Sequence, residues 1–224
     1  MVRCGAPRRT GVTGANQGAR EQGCANREQE IGKGRAQGVP VGGAGNEFKE
    51  DATDELNWGC ERALEGGASA AAVATHWSDG GRGAEELARA VVKVAAQGTQ
   101  FSPLYEVTSP IKKKIETIAT TIYGAAGVSF SPQAERDVEL ATRLGFDRLP
   151  ICMAKTPLSL SHDPAVKGRP SGFTVPIQEL RILAGAGFLT AVCSGSQLMP
   201  GLPKKPAGER IDVDPQSGQI VGLQ

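Results

Sequence analysis

One tryptophan stands where a ligand could bind. Trp77 comes two residues after Ala70–Thr75, a continuous apolar run of strand length. In α/β sheets, ligands collect at the carboxyl ends of strands, and a flat heterocycle binds well against an aromatic face. The spacing alone also fits a core tryptophan that plugs the end of the strand, so both roles stay open.

A glycine-rich basic stretch follows this tryptophan. Gly81 and Gly83 flank an arginine directly before a predicted helix, an arrangement that could receive an anion at the helix N-terminus. A plain connection between strand and helix explains the same glycines. Lys155, which follows another predicted buried strand, could face a phosphate or could be a salt-bridged structural lysine.

Other common site signatures are missing from the sequence. The 224 residues contain no G-x-x-x-x-G-K-[ST] phosphate loop. Five scattered cysteines without a C-x-x-C pair fit neither a zinc site nor a disulfide framework. The two histidines, His76 and His162, are too far apart for a metal pair on one helix. We therefore expect no metal site, and the sequence assigns no catalytic residue.

The nearly equal numbers of basic and acidic residues argue against strongly anionic binding partners. Lys and Arg number 25 against 24 Asp and Glu, which leaves a net charge of +1 and gives no reason to expect nucleic acid or an anionic membrane. No apolar run approaches the roughly 18 residues that a membrane-spanning helix needs. Scattered, reduced thiols favour a cytoplasmic location. The Arg-rich start leaves mitochondrion or plastid as the alternative, although it lacks an amphipathic apolar face.

The elements that would position these residues alternate between strands and helices. Residues 1–37 are polar and glycine-rich without periodicity, so we expect a disordered stretch there and one α/β region over 38–224. The spacing predicts helices over 51–65, 83–97, 110–123 and 132–144, with a short helical stretch near 177–183. Strands are predicted from 38, over 70–75, 149–154, 173–175 and 188–192, and in a terminal hairpin over 211–221. This order predicts an α/β fold with a mixed or mostly parallel sheet flanked by helices.

The helix predicted over 110–123 carries three consecutive lysines near its start. Its apolar stripe includes Ile111, Ile115 and Ile118. Lys112-Lys113-Lys114 is expected to form the solvated face of this helix.

From Ala70 onward, short motifs follow one another in an order that is typical of one family. They are His76-Trp77-Ser78-Asp79-Gly80-Gly81-Arg82-Gly83, Ile122-Tyr123-Gly124-Ala125, Leu149-Pro150-Ile151-Cys152-Met153-Ala154-Lys155-Thr156, Ser159-Leu160-Ser161-His162, Gly185-Ala186-Gly187-Phe188, Met199-Pro200-Gly201-Leu202-Pro203 and Ile211-Asp212-Val213-Asp214. This region resembles the C-terminal part of formate–tetrahydrofolate ligases, including the ligase part of C1-tetrahydrofolate synthases. Upstream, Asn46 and Phe48 resemble the family's Asn-x-Phe, although the family has large aliphatic residues where this chain has Gly42-Gly43-Ala44-Gly45.

The resemblance implies a reaction and its substrates. In the family, ATP phosphorylates formate, and N10 of tetrahydrofolate then attacks the resulting formyl phosphate. Tetrahydrofolate, formate and ATP would be the small-molecule partners, with Mg²⁺ assisting phosphoryl transfer. The family's phosphate loop lies in an N-terminal domain, so ATP and Mg²⁺ would be bound mainly outside the residues of this chain. Family members tend to form homo-oligomers.

The resemblance also implies a binding site. In the family the pterin is held between two aromatic rings, which map onto Phe48 and Trp77, and this favours the stacking role for Trp77. Lys155 could then face the glutamate tail of the folate. One alternative is a catalytically inactive fragment that acts as a folate-binding or oligomer-interaction module. Another is that this sequence is an incomplete part of a working ligase.

Overall fold

A computed structural model describes residues 17–48, 51–196, 205–217 and 220–222. Its helices are α1 Gln17–Ala36, α2 Thr53–Glu65, α3 His76–Asp79, α4 Glu85–Ala95, α5 Ile111–Tyr123 and α6 Pro132–Arg143. Its strands are β1 Gly42–Asn46, β2 Ala70–Ala74, β3 Gly127–Phe130, β4 Ile151–Ala154, β5 Thr174–Leu183, β6 Phe188–Cys193, β7 Asp212–Val213 and β8 Ile220–Val221.

The strands form an α/β architecture with mixed sheets. β1 and β2 pair in parallel. The larger sheet has the order β3-β5-β6-β4, in which β3 pairs with β5 and β4 with β6 in parallel, and only the central β5–β6 pair is antiparallel. The expected α/β class with a mixed, mostly parallel sheet is therefore confirmed. The predicted terminal hairpin is confirmed as the antiparallel pair β7–β8.

The larger sheet packs its core against α5 and α6. Ile115 from α5 and Ala141 from α6 lie with Val175, Ile177 and Leu189 in one buried cluster. Both helices end as the sequence predicts. Gly124 closes α5 in the left-handed conformation with φ of 74°, which costs glycine no steric strain.

Lys114 departs from the expected solvated face. Its side chain has 0 % exposure. Nζ donates hydrogen bonds to the carbonyl oxygens of Val107 at 3.2 Å, Asp147 at 2.6 Å and Leu149 at 2.7 Å. Burial lowers the pKa of this lysine, and the Asp147 carboxylate opposes that effect. The expectation was therefore wrong for Lys114, which ties the loops before α5 and β4 together, and right for the exposed Lys112 and Lys113.

The segment over 177–183 also departs from expectation, because it continues β5 instead of forming a helix. β5 pairs with β6 as an antiparallel hairpin, and a bulge lies between Ile177 and Glu179. A bulge adds one residue and shifts the two-residue alternation of a strand by one. Buried Ile177 and Leu180 are consequently three residues apart, a spacing that imitates a helix.

The N-terminal region contains a helix where disorder was expected. α1 covers Gln17–Ala36, and Ile31 is buried against α2. Much of its anchoring is polar: Asn26 Nδ2 donates to the Gly168 carbonyl at 3.1 Å, and Arg27 donates to the Gly59 carbonyl. Such long-range contacts leave no periodicity in the sequence, which is why the prediction of disorder was wrong for this helix. Residues 1–16 lie outside the described part, and so does the family motif Met199–Pro203.

β1 forms from a run of small residues that was expected to weaken a strand. An added Cβ at Gly43 would lie 3.2 Å from Ala63 Cβ of α2, whereas an added Cβ at Gly42 meets nothing within 4 Å. Neither glycine has a positive φ. Gly43 therefore permits the close approach of α2 to the sheet, and Gly42 has no such packing role.

These two neighbouring glycines provide a matched pair of variants. We expect Gly42→Val to raise the free energy of unfolding by about 0.5–1 kcal/mol, because valine favours extended backbone and restricts the unfolded chain. We expect Gly43→Val to lower it by about 1 kcal/mol or more through overpacking against α2. Urea unfolding followed by circular dichroism measures both. A loss of stability in Gly42→Val would contradict the open environment of that residue.

Candidate functional site

The candidate site begins where β1 ends. β1 and β2 run in parallel with Asn46 opposite Ala74, so their carboxyl ends lie side by side. The Glu47 amide extends the pairing by donating to the Ala74 carbonyl at 3.0 Å. The next residue, Phe48, is fixed by its backbone amide, which donates to Asp51 Oδ2 at 2.9 Å. Its ring is therefore presented at the carboxyl edge of this sheet.

Trp77 is presented at the same edge by the short helix α3. The Thr75 hydroxyl donates to Asp79 Oδ2 at 2.6 Å, and the Ser78 hydroxyl donates to the Thr75 carbonyl at 3.1 Å. These bonds fix the turn that follows β2. The Trp77 side chain is 69 % exposed, which excludes the core tryptophan that the spacing alone allowed.

The two aromatic side chains predicted from the sequence contact each other. The ring centroids of Phe48 and Trp77 are 5.9 Å apart, and their planes are inclined by 59°. This is a tilted aromatic pair in direct contact. A heterocycle between the rings needs two stacking contacts of roughly 4.5 Å or more each. The rings would therefore have to separate to admit one.

The glycine-rich stretch forms a 3-10 turn between α3 and α4. An added Cβ at Gly83 would lie 2.5 Å from the Thr75 hydroxyl oxygen, and the Thr75 amide donates to the Gly83 carbonyl at 3.0 Å. Gly83 is thus required for close packing under the end of β2. Gly81 lies in open space. α4 carries Glu85 and Glu86 in its first turn, and these acids already complement the positive end of the helix.

A shallow hollow opens beside this turn. It has a volume of ≈ 490 Å³ and is lined by Thr75, Asp79, Arg82 and Gly83. Thr75 and Asp79 stand on either side of Trp77 in the sequence, so the hollow and the aromatic pair share one short segment of chain. Aromatic faces and a mixed polar hollow together suit a ligand with a flat heterocycle and a charged extension.

Lys155 lies apart from the aromatic pair, at the end of β4. Nζ donates to the Thr156 carbonyl at 2.9 Å and to the Ser159 carbonyl, and it stands 4.8 Å from the centroid of the Tyr123 ring. Burial lowers the pKa of this lysine. Within the described residues, the partners of its Nζ are therefore carbonyls and a ring, with no carboxylate in ion-pair contact, and an anion at Lys155 would compete with these partners.

The same region contains a thiol in an environment that disfavours its charged form. Cys193 is buried at the end of β6, and burial raises its pKa to about 11. Cys152 on β4 is exposed. The thiolate is the reactive form of cysteine. The reactivity of Cys193 is therefore lowered both by its burial and by its raised pKa.

This difference predicts the order of thiol labelling. We expect Cys152 to react with a disulfide reagent at pH 8 at least tenfold faster than Cys193. The rate at Cys193 should rise with pH up to about 11, because its folded-state pKa lies there. Peptide mass mapping follows the reaction at Cys152 and at Cys193 separately from that at the other three thiols of the chain. Equal rates at the two thiols would contradict the burial of Cys193.

Two kinds of site find no support in the part of the chain that the structure describes. Across residues 17–48, 51–196, 205–217 and 220–222, no three His, Cys, Asp or Glu side chains cluster as a metal site. Within the same residues, no helix combines the length and apolar character needed to cross a bilayer.

Comparison with known proteins gives a consistent answer. The family model described as formate–tetrahydrofolate ligase matches residues 2–224. The chain is 45 % identical over 203 residues to the cytoplasmic C-1-tetrahydrofolate synthase of Schizosaccharomyces pombe, covering 90 % of this chain and 22 % of the relative. It is 44 % identical over 222 residues to the formate–tetrahydrofolate ligase of Desulforamulus reducens, covering 99 % of this chain and 39 % of that enzyme.

A third relative is named as mitochondrial, whereas the S. pombe relative is named as cytoplasmic. The monofunctional C1-tetrahydrofolate synthase of Bos taurus, named as mitochondrial, is 43 % identical over 222 residues, covering 99 % of this chain and 23 % of the relative. The chain thus spans between about a fifth and two fifths of the length of these relatives. Since the family match extends over nearly all of its residues, the chain belongs to the formate–tetrahydrofolate ligase family.

Proposed function

We propose that this chain supplies the tetrahydrofolate-binding part of an ATP-dependent ligase that joins formate to tetrahydrofolate and gives 10-formyltetrahydrofolate. The observation that carries the proposal is the contact between Phe48 and Trp77 at the carboxyl ends of neighbouring parallel strands. These are the two residues onto which the family's pterin-binding rings map. The relatives' names supply the reaction class.

In the proposed site, the rings of Phe48 and Trp77 must separate before a pterin can bind between them. Trp77 is 69 % exposed and Phe48 is 37 % exposed, so neither ring is locked by the core. Opening the pair costs roughly 0.5–1.5 kcal/mol of aromatic contact. A pterin that enters between the rings replaces this one contact with two and buries apolar surface on both sides.

The phosphoryl-transfer half of the reaction needs groups from outside these residues. The chain contains no phosphate-loop motif, and its described residues do not fit a Mg²⁺ site. We therefore derive no phosphoryl-transfer step from this chain. In the proposal, ATP and Mg²⁺ bind to the part of a ligase that the relatives have and this chain does not match.

Location and assembly are secondary parts of the proposal. A cytoplasmic location agrees with the S. pombe relative, and a mitochondrial one agrees with the B. taurus relative. The proposal of a homo-oligomer rests only on the tendency of family members to form homo-oligomers. Neither part affects the choice of tetrahydrofolate as the ligand.

The alternative function is a catalytically inactive folate-binding or oligomer-interaction module. The missing phosphate loop and the small residues of β1 favour it. Both functions predict binding of tetrahydrofolate through the ring pair, unless the module serves oligomer contacts alone. Only the ligase function predicts turnover when the chain is combined with the other part of a ligase.

One experiment separates these functions. The purified chain is assayed for ADP and 10-formyltetrahydrofolate, alone and mixed with a separately produced N-terminal part of the D. reducens ligase. Formate- and tetrahydrofolate-dependent turnover in the mixture supports the ligase function. Tetrahydrofolate binding without turnover supports the inactive module. Absence of both turnover and binding would overturn the proposed function.

A further inference from the structure

The turn after α3 positions the backbone of Arg82, five residues after Trp77 in the sequence. Gly80 has a φ of 61°, which turns the chain out of α3. Gly83 then packs against Thr75, and the hydrogen bond from the Thr75 amide to the Gly83 carbonyl closes the turn. Arg82 lies between these two glycines and lines the hollow of ≈ 490 Å³. Its backbone is thus held at both sides, although its side chain is exposed.

Arg82 carries an exposed charge that lines this hollow. Among the residues that the structure describes, no ion pair or hydrogen bond of its guanidinium is found. Asp79 lines the same hollow but holds the Thr75 hydroxyl at 2.6 Å. On the neighbouring helix, Arg89 pairs with Glu85. The hollow therefore presents a guanidinium that the described residues leave unpaired, five residues after Trp77 in the sequence.

We propose that Arg82 binds a carboxylate of the glutamyl tail of tetrahydrofolate in this hollow. The inference rests on the proposed function, because it needs the pterin at the Phe48–Trp77 pair. A guanidinium binds a carboxylate through two parallel N–H donors, which gives both strength and orientation. Thr75 and Asp79 lie two residues on either side of Trp77 in the sequence, so the hollow and the ring pair belong to the same short segment of chain.

Acidic residues near Arg82 limit the affinity of the hollow for a carboxylate. Asp79 lies in the hollow and repels an incoming carboxylate, while Glu85 is neutralised by Arg89. Glu86 adds a further negative charge in the first turn of α4. The hollow is consequently a selective but modest anion site. Removing the charge of Asp79 should strengthen it, which gives the test a variant of opposite sign.

The test compares two ligands that share the pterin. 6-Methyltetrahydropterin has the same heterocycle as tetrahydrofolate but carries no carboxylate. We expect Arg82→Gln to weaken tetrahydrofolate binding about fivefold to tenfold and to leave binding of the methylpterin unchanged. Asp79→Asn should strengthen tetrahydrofolate binding only. Arg143→Gln, an exposed arginine in the last turn of α6, is the matched control and should affect neither ligand. Isothermal titration calorimetry of the full chain under anaerobic conditions measures all of these affinities.

The outcomes separate this inference from the proposed function. Selective loss of tetrahydrofolate affinity in Arg82→Gln supports the tail site. Equal changes for both ligands, or no change for either, overturn the tail site while leaving pterin stacking intact. Failure of the unaltered chain to bind either ligand overturns both.

Discussion

Replacing Lys114 by methionine is expected to lower the free energy of unfolding by roughly 3 kcal/mol. Methionine keeps the unbranched apolar stem but removes the ammonium that donates to the carbonyls of Val107, Asp147 and Leu149. Three carbonyl acceptors, in partly buried hydrogen bonds, then lose their donor. Relief of the desolvation that lowers the pKa of Lys114 offsets part of this loss. For a chain of this length the midpoint of thermal unfolding should fall by roughly 6–12 °C.

The adjacent lysine is the matched control. The Lys113 side chain is 65 % exposed and pairs with Glu116 at 3.0 Å. Because exposed ion pairs contribute little to stability, Lys113→Met should leave the midpoint almost unchanged. Urea unfolding of both variants, followed by circular dichroism at 222 nm, measures the difference. Equal losses in the two variants would show that the carbonyl cluster around Lys114 does not stabilise the fold.

Lys114 also shows how the sequence could have been interpreted better. It lies three residues after Ile111 and four before Ile118, which places it on the apolar stripe of α5. The helical spacing therefore already indicated a buried position. The prediction of a solvated face followed the charge of the residue instead of its place in the period. What the sequence does not contain is the set of three carbonyls, since they come from two separate loops.

The candidate site was predictable in part. The sequence places Trp77 just beyond a strand, and the family resemblance adds Phe48. Their contact depends on the parallel pairing of β1 with β2, which no local pattern specifies because β1 consists of small residues. The isolation of Arg82 was equally hidden, since it depends on the bond between Asp79 and the Thr75 hydroxyl. Local patterns thus indicated many of the elements, though not α1, β3 or the second half of β5, and long-range pairing decided which side chains meet.

Trp77→Ala is expected to weaken tetrahydrofolate binding at least tenfold, or about 1.4 kcal/mol. The side chain is 69 % exposed, so its removal costs the fold little while the ligand loses one aromatic face. Trp77→Phe keeps a smaller ring and should give an intermediate affinity. Binding is measured by calorimetry with tetrahydrofolate under anaerobic conditions, together with circular dichroism to confirm that each variant is folded.

The chain offers a direct spectroscopic readout of the same residue. It contains two tryptophans, Trp58 and Trp77. In a Trp58→Phe variant, Trp77 is the remaining fluorophore, and tetrahydrofolate that stacks on its ring should quench its emission. Unquenched emission at saturating ligand, or unchanged affinity in Trp77→Ala, would mean that the pterin binds elsewhere.

The contact between Phe48 and Trp77 also predicts how much binding free energy a double alanine variant loses compared with the two single variants. If the pterin enters between Phe48 and Trp77, the unaltered chain must first break their contact, at 5.9 Å between centroids. Either single alanine variant removes one ligand contact but also removes that opening cost. The double variant loses both ligand contacts and is relieved of the cost only once. Its loss of binding free energy should therefore exceed the sum of the two single losses by roughly 0.5–1.5 kcal/mol, the energy of an aromatic pair. Additive losses would mean that the ligand stacks on an outer face and that the pair stays closed.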